Sequence, residues 1–242
     1  MLGETASIAS GDDRAATHSR RRDVLEFATA YGLILLVIWT PRPWQRYLWW
    51  VAAASIAGIT ARSFEGRQAV GLRTGNFLRS LWVVGLALVA AAAAIIFAGR
   101  MDVVRLPEGP IYLLKNYWAY SLWAFVQQFL LQGFFLSRLL RLVSSTGLAV
   151  TSAAILFASA HLPNPILTPV TLLFAFAACW VFLRYRNLYA LAMAHAILGI
   201  TIAIVAPKPM IHNMRVGLGY LTYNPAHRSP HSAQPQRPDR VH

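Results

Sequence analysis

From Phe77 to Gly99 the chain is apolar almost without interruption. A helix over that run, rising 1.5 Å per residue, crosses a bilayer core about 30 Å thick. Hydrocarbon offers no hydrogen-bond partner, so only helices and closed barrels satisfy their backbone there. A barrel would show segments of about ten residues in strict alternation, and none is present. The rest of the chain agrees with helices. It is 57% hydrophobic and 13% charged, with a mean hydropathy of +0.47, whereas a soluble domain carries about a quarter charged residues. The pattern predicts an all-α, polytopic helical membrane bundle.

Further apolar segments run over Leu25–Thr40, Tyr47–Ala61, Ile111–Leu142, Gly147–His161, Pro165–Leu183 and Leu188–Ala206. About seven transmembrane helices are expected, six to eight allowing for the short first two. Residues 1–23 read as a disordered cytoplasmic tail, 24–206 as the transmembrane domain, and 207–242 as an interfacial segment followed by a disordered tail. "SRRRDVLEF" is weakly similar to a twin-arginine export signal, but no small-residue cleavage site follows, which favours an arginine anchor beside a first span. The net charge of +13 does not point to nucleic acid. The basic residues lie in tails and short loops, where orientation signals of a membrane protein belong, and no nucleic-acid-binding motif accompanies them. Arginines at 14, 20–22, 62, 67, 73, 79, 138, 141, 184 and 186 fall on one side if the N terminus is cytoplasmic; Arg42, Arg46, Arg100 and Arg105 weaken that bias. The single cysteine, Cys179, allows no internal disulfide and reads as a small packing residue.

Side chains capable of chemistry are few within these spans, and they cluster in three places. "QQFLLQGFFLSRL" carries Gln127, Gln128 and Gln132, and a spacing of four puts the last two on one face of an α-helix. "FASAHLPNP" carries Phe157, His161 and Asn164, and "AMAHAILGI" carries His195. Ionisable and polar groups in hydrocarbon face a bundle interior or a wet cavity and mark function by default. The plainer alternative is interhelical hydrogen bonding, worth about 1–2 kcal/mol.

The order of these motifs, a glutamine-rich helix, then FxxxH, then HxxxG in the last span, resembles the CAAX-protease and bacteriocin-processing (CPBP, or Abi) family of intramembrane endopeptidases. The family's pattern is Glu-Glu-x-x-x-Arg, Phe-x-x-x-His and His-x-x-x-Asn, and the resemblance covers about residues 112–201. Phe157, His161 and His195 match it. Gln127 and Gln128 stand in place of the glutamates, Gln132 in place of the arginine, and Gly199 in place of the asparagine. The resemblance implies catalytic roles for His161, His195, Gln127 and Gln128, and substrate contacts from Gln132, Asn164 and Phe157. It also implies a protein or peptide substrate at the membrane, beside membrane lipids. No cofactor, metal or nucleic acid is expected. The expected location is the bacterial plasma (inner) membrane.

A neutral amide cannot act as general base near pH 7. No acidic residue lies between Gly109 and Pro238, so only Glu26 or Glu65 could lean in from the first spans. The exchange is concerted, however: with both glutamates and the arginine neutral together, no buried charge is left unpaired. His161 or His195 would then serve as base. Three readings stay open: a histidine-based endopeptidase, a non-cleaving relative that binds a hydrophobic peptide or membrane partner, and a haem or metal protein ligated by the two histidines. His212 reads as a surface residue, and "NYWAYSLW" as an interfacial aromatic belt.

Overall fold

The structure, a computed structural model, describes residues 2–64, 66–104 and 110–224. Among the described residues there is no strand, and the chain is an all-helical membrane protein. The first helices are α1 (Leu2–Ile38), α2 (Arg42–Arg62), α3 (Phe77–Ser80) and α4 (Trp82–Arg100). Helix α5 (Pro110–Gln128) passes without a break into a π-helical stretch, Phe129–Leu136, and then into α6 (Ser137–Leu142). There follow α7 (Thr146–Ser159), α8 (Leu167–Tyr185), α9 (Leu188–Val205) and the short α10 (Lys208–Ile211) and α11 (Leu218–Leu221).

Among the described residues, three stretches are long and apolar enough to cross a membrane: Phe77–Arg100, Leu167–Tyr185 and Leu188–Val205. That is fewer than the expected seven. Helix α7 is apolar but has only 14 residues, and the apolar parts of α1 and α2 are cut short by arginines. The polar tail before Asp23 is continuous with helix α1. At its inner end Asp23 is buried and bound to Arg141, a long-range contact that composition does not reveal. Residues 225–242 of the expected C-terminal tail lie outside the described residues.

Helix α9 is the central element. Fifty-six per cent of its span is buried, against 22% for the α3–α4 stretch, which turns Leu86, Val89 and Phe97 outward. Both α4 and α5 pack on α9, while α7 lies along α8. The α7–α8 contact joins Ala149, Val150, Ala153 and Ala154 to Ala175, Ala178 and Cys179. Small residues let two helices approach closely where no hydrophobic gain from burial drives association in lipid. Cys179 is a packing residue here, fully buried.

Caps set where the helices stop and start. Asn187 accepts from the Ala190 amide at the start of α9 and donates to the Arg73 carbonyl, tying the α8–α9 turn to the loop before α3. Asn76 donates to the Tyr185 carbonyl and completes that tie. At the other end of the bundle, Asn164 accepts from the Ile166 and Leu167 amides as α8 begins.

Arg138 and Arg141, read from sequence as loop charges, sit in α6. Arg138 is 4% exposed. It donates to Glu26 at 2.6 Å, to the Ser63 hydroxyl at 2.7 Å and to the Phe134 carbonyl at 3.1 Å. Arg141 forks onto the Asp23 carboxylate at 2.7 and 2.8 Å. These pairs fasten α1 to the helix that carries the glutamines. Phe27 and Tyr31 of α1 extend the seam by packing edge-on against Phe135.

Candidate active site

The last turn of α7 leaves its carbonyls without helical partners. One of them, on Phe157, is taken up by His161, whose ring Nδ1–H donates to it at 2.7 Å. A carbonyl can only accept, so this contact places the proton on Nδ1 and leaves the Nε2 lone pair of neutral His161 free. His195 stands on the second turn of α9 with 6% exposure. Its Nδ1 lies 3.0 Å from Gln128 Nε2. With the amide nitrogen donating there, Nε2 of His195 carries the proton. The two imidazoles thus present opposite faces to a common space, one an acceptor and the other a donor. The Phe157 ring packs against both, at centroid distances of 4.9 Å to His161 and 5.9 Å to His195.

That space is a cavity of about 620 Å³. Gln127, Phe157, His161 and His195 all line it, together with Tyr31, Tyr117, Tyr120, Trp123, Phe174 and Gly199. No Asp, Glu, Lys or Arg is among the described lining residues. The walls are otherwise aliphatic and aromatic, as befits a site that takes an apolar ligand and orients it with a few polar groups.

The three glutamines have separate fates. Gln127 lines the cavity, half-buried. Gln128 is fully buried and holds His195. Gln132 is also fully buried, but its side chain makes no conventional hydrogen bond and lies beside the Cys179 thiol of α8. Gln128 and Gln132 are both buried but meet different helices, Gln128 reaching His195 on α9 and Gln132 the Cys179 side of α8, and the backbone between them is π-helical from Phe129. Bonds to the fifth residue make a wider turn, and the Ser137 hydroxyl donating to the Gln132 carbonyl five residues back follows the same spacing. Gln132 is packed in the protein core and is not among the cavity-lining residues.

Asn164 is likewise structural. Both amide hydrogens go to backbone carbonyls, those of Ile211 and Arg215, and its oxygen accepts two amides. All four of its positions are used, and none remains for a substrate. Glu26 does not lean into the cavity, since Arg22 and Arg138 hold it at the α1–α6 seam. Glu65 lies outside the described residues. His212 is stacked between Tyr220 and Tyr223 and is not a cavity residue.

Sequence reasoning missed part of the wall. Tyr117, Tyr120 and Trp123, read as an interfacial belt, line the cavity from α5. The signal was present: Tyr120 and Gln127 are seven residues apart, two turns along one face. Tyr31 was also missed. Its hydroxyl sits 2.6 Å from the Ser159 hydroxyl and 3.1 Å from the Leu156 carbonyl, joining α1 to α7.

A helical membrane protein that sets two imidazoles and an amide on the wall of one apolar cavity has the form of a ligand site within its bundle. More narrowly, residues 109–201 match the family described as type II CAAX prenyl endopeptidase Rce1-like, so the chain carries a domain of that family of intramembrane endopeptidases. The matched stretch runs from the start of α5 into α9 and contains Gln127, Phe157, His161 and His195. No curated protein and no solved structure matches the chain.

Proposed function

We propose that this protein is an intramembrane endopeptidase in which a histidine takes the part of the missing carboxylate. The observation that carries this reading is the pair of imidazoles on one cavity, with Nε2 of His161 free to accept and Nε2–H of His195 free to donate. Water held between His161 and the Gln127 amide loses a proton to His161 Nε2 as its oxygen bonds to the substrate carbonyl carbon. The carbonyl oxygen takes up the electron pair and accepts from His195, an interaction that strengthens as charge develops. The C–N bond then breaks, and His161 returns the proton to the departing amine nitrogen. One water is consumed, and a carboxyl and an amine are formed.

Gln128 positions His195, and Phe157 positions both rings. The apolar cavity suits a hydrophobic peptide or a peptide carrying a prenyl chain, the substrate class in the family's description. We also place the protein in a bacterial inner membrane with a cytoplasmic N terminus. In support, the basic segments around residues 22, 62–79, 138–141 and 184–187 meet at one end of the bundle, as cytoplasmic arginines would.

A second reading is a binding protein that holds a hydrophobic peptide without cutting it. The absence of any carboxylate among the described residues of the cavity wall favours it. Membrane and secreted peptides from wild-type cells, a gene deletion, and the deletion carrying a His161→Ala/His195→Ala copy separate the two. Cleavage products lost in the deletion and not restored by the double variant are expected. Identical products in all three strains, with any deletion phenotype rescued by the variant, would leave only the binding reading.

A further inference from the structure

Tyr120 has a polar atom that nothing described so far uses. It projects from α5 into the cavity, and its ring stands edge-on to His195 at a centroid distance of 6.5 Å and an interplanar angle of 88°. The hydroxyl makes no hydrogen bond among the described residues, although its walls are otherwise largely apolar. The hydroxyl stands at the cavity wall, where a polar group of a ligand can take it as a donor.

Its position is set by Gly199. A Cβ on that residue would occupy the volume now held by the Tyr120 hydroxyl and the end of its ring. Gly199 lies four residues after His195 on α9, so the two share a face one turn apart. The hydroxyl therefore rests against α9 beside the imidazole, on the cavity side, and only glycine at 199 leaves room for it. A large side chain on one helix is matched to the smallest residue on the other, and the fit delivers a single O–H to the polar centre.

We propose that the Tyr120 hydroxyl is a second donor to the substrate carbonyl oxygen, acting beside His195. The inference rests on the endopeptidase reading for its consequence in turnover, but the contact itself concerns any carbonyl compound bound in the cavity. Two donors are what a tetrahedral oxyanion needs. A phenolic O–H serves as well as an amide N–H at 2.7–3.1 Å, and removing one such donor costs about 10²–10³ in kcat. The contact is made most strongly in the transition state, so kcat should fall with KM little changed.

Two measurements on the purified full chain test this. The first is the affinity for an apolar tripeptide aldehyde (acetyl-Leu-Leu-leucinal), whose hydrate presents tetrahedral oxygens without needing turnover. The second is cleavage of a fluorogenic farnesylated CAAX peptide. Tyr120→Phe keeps the ring and removes only the O–H, and it is expected to weaken aldehyde binding at least tenfold. Gly199→Ala keeps the tyrosine but pushes its hydroxyl away, and it should weaken binding by a similar factor, with no further loss in the double variant. If the peptide is cleaved, both variants should lower kcat by about 10²-fold or more with KM within about threefold. Aldehyde binding by Tyr120→Phe as tight as by the wild type overturns the proposal, whether or not the peptide is cut. If only Gly199→Ala weakens binding, the pair is a packing contact and the proposal fails as well. Failure of the endopeptidase reading shows separately, as a wild type that cleaves no faster than His161→Ala while the aldehyde result still decides the role of Tyr120.

Discussion

Gln132 shows how much a single side chain depends on what packs against it. It lies in the core beside α8, at zero exposure, with neither amide atom conventionally hydrogen-bonded. Leaving a buried donor or acceptor unsatisfied costs about 1–3 kcal/mol, and an apolar group of the same shape avoids that cost. Gln132→Met is therefore expected to raise stability by about 1 kcal/mol or more, read as a higher Tm in detergent. A lower Tm would mean that the amide has a partner worth keeping. Gln127, five residues earlier, is the opposite case: an amide on the cavity wall, placed where a water or a peptide group can use it.

At the scale of elements, the seam between α1 and α6 holds the glutamine helix in place. Arg138 is nearly buried, and Glu26, 14% exposed at its side chain, is its counter-ion. Removing one member of such a pair strands the other, at a cost of about 3–5 kcal/mol. Arg138→Ala should lower stability by that order, whereas exchanging Arg138 and Glu26 together for methionine should recover most of the loss, checked by thermal unfolding. The outer pair adds a pH dependence. The Arg141 hydrogen bond and positive charge hold the Asp23 carboxyl below its usual 3.8, against the opposing effect of burial. A lowered folded value stabilises above the unfolded pKa, and that contribution is lost as pH falls through the folded one. The Asp23 contribution should thus be constant from neutral pH to about 5 and decline below about 4, and Asp23→Asn should flatten the acid limb of a Tm–pH curve.

Across the whole molecule, the basic segments around residues 22, 62–79, 138–141 and 184–187 gather at one end, and the cavity reaches toward the other. There a strap from α10 to α11 crosses it, with Ile211, Asn213, Met214 and Val216 in the wall. His212, Asn213 and Met214 are successively left-handed, at φ 46°, 55° and 57°, an arrangement that persists only where surrounding contacts impose it. Those contacts are Asn164 on the Ile211 and Arg215 carbonyls, and the Gly217 amide on the Leu162 carbonyl at 2.6 Å. Gly217 has φ +56° and lies against Ile38 with no space for a Cβ. Gly217→Ala should therefore lower stability by more than about 1 kcal/mol and deprotect amides of the strap in hydrogen exchange. Unchanged protection would show that the strap does not depend on this seat.

The helical membrane class, the family resemblance and the three segments that carry polar chemistry were legible from the chain alone. Each is written in local terms: the length of an apolar run, or the spacing of a motif along one helix. The sequence also located His161 and His195, because a histidine in an apolar span has few other uses. Which polar groups reach the cavity was settled by packing between helices. Gln132 sits against α8 and off the cavity wall, and Asn164 was consumed by backbone groups 47 and 51 residues away. Tyr120 entered it because Gly199, on another helix, leaves a gap of the right size. Whether a polar side chain meets ligand or protein depends on partners distant in the chain, and no local pattern encodes their positions.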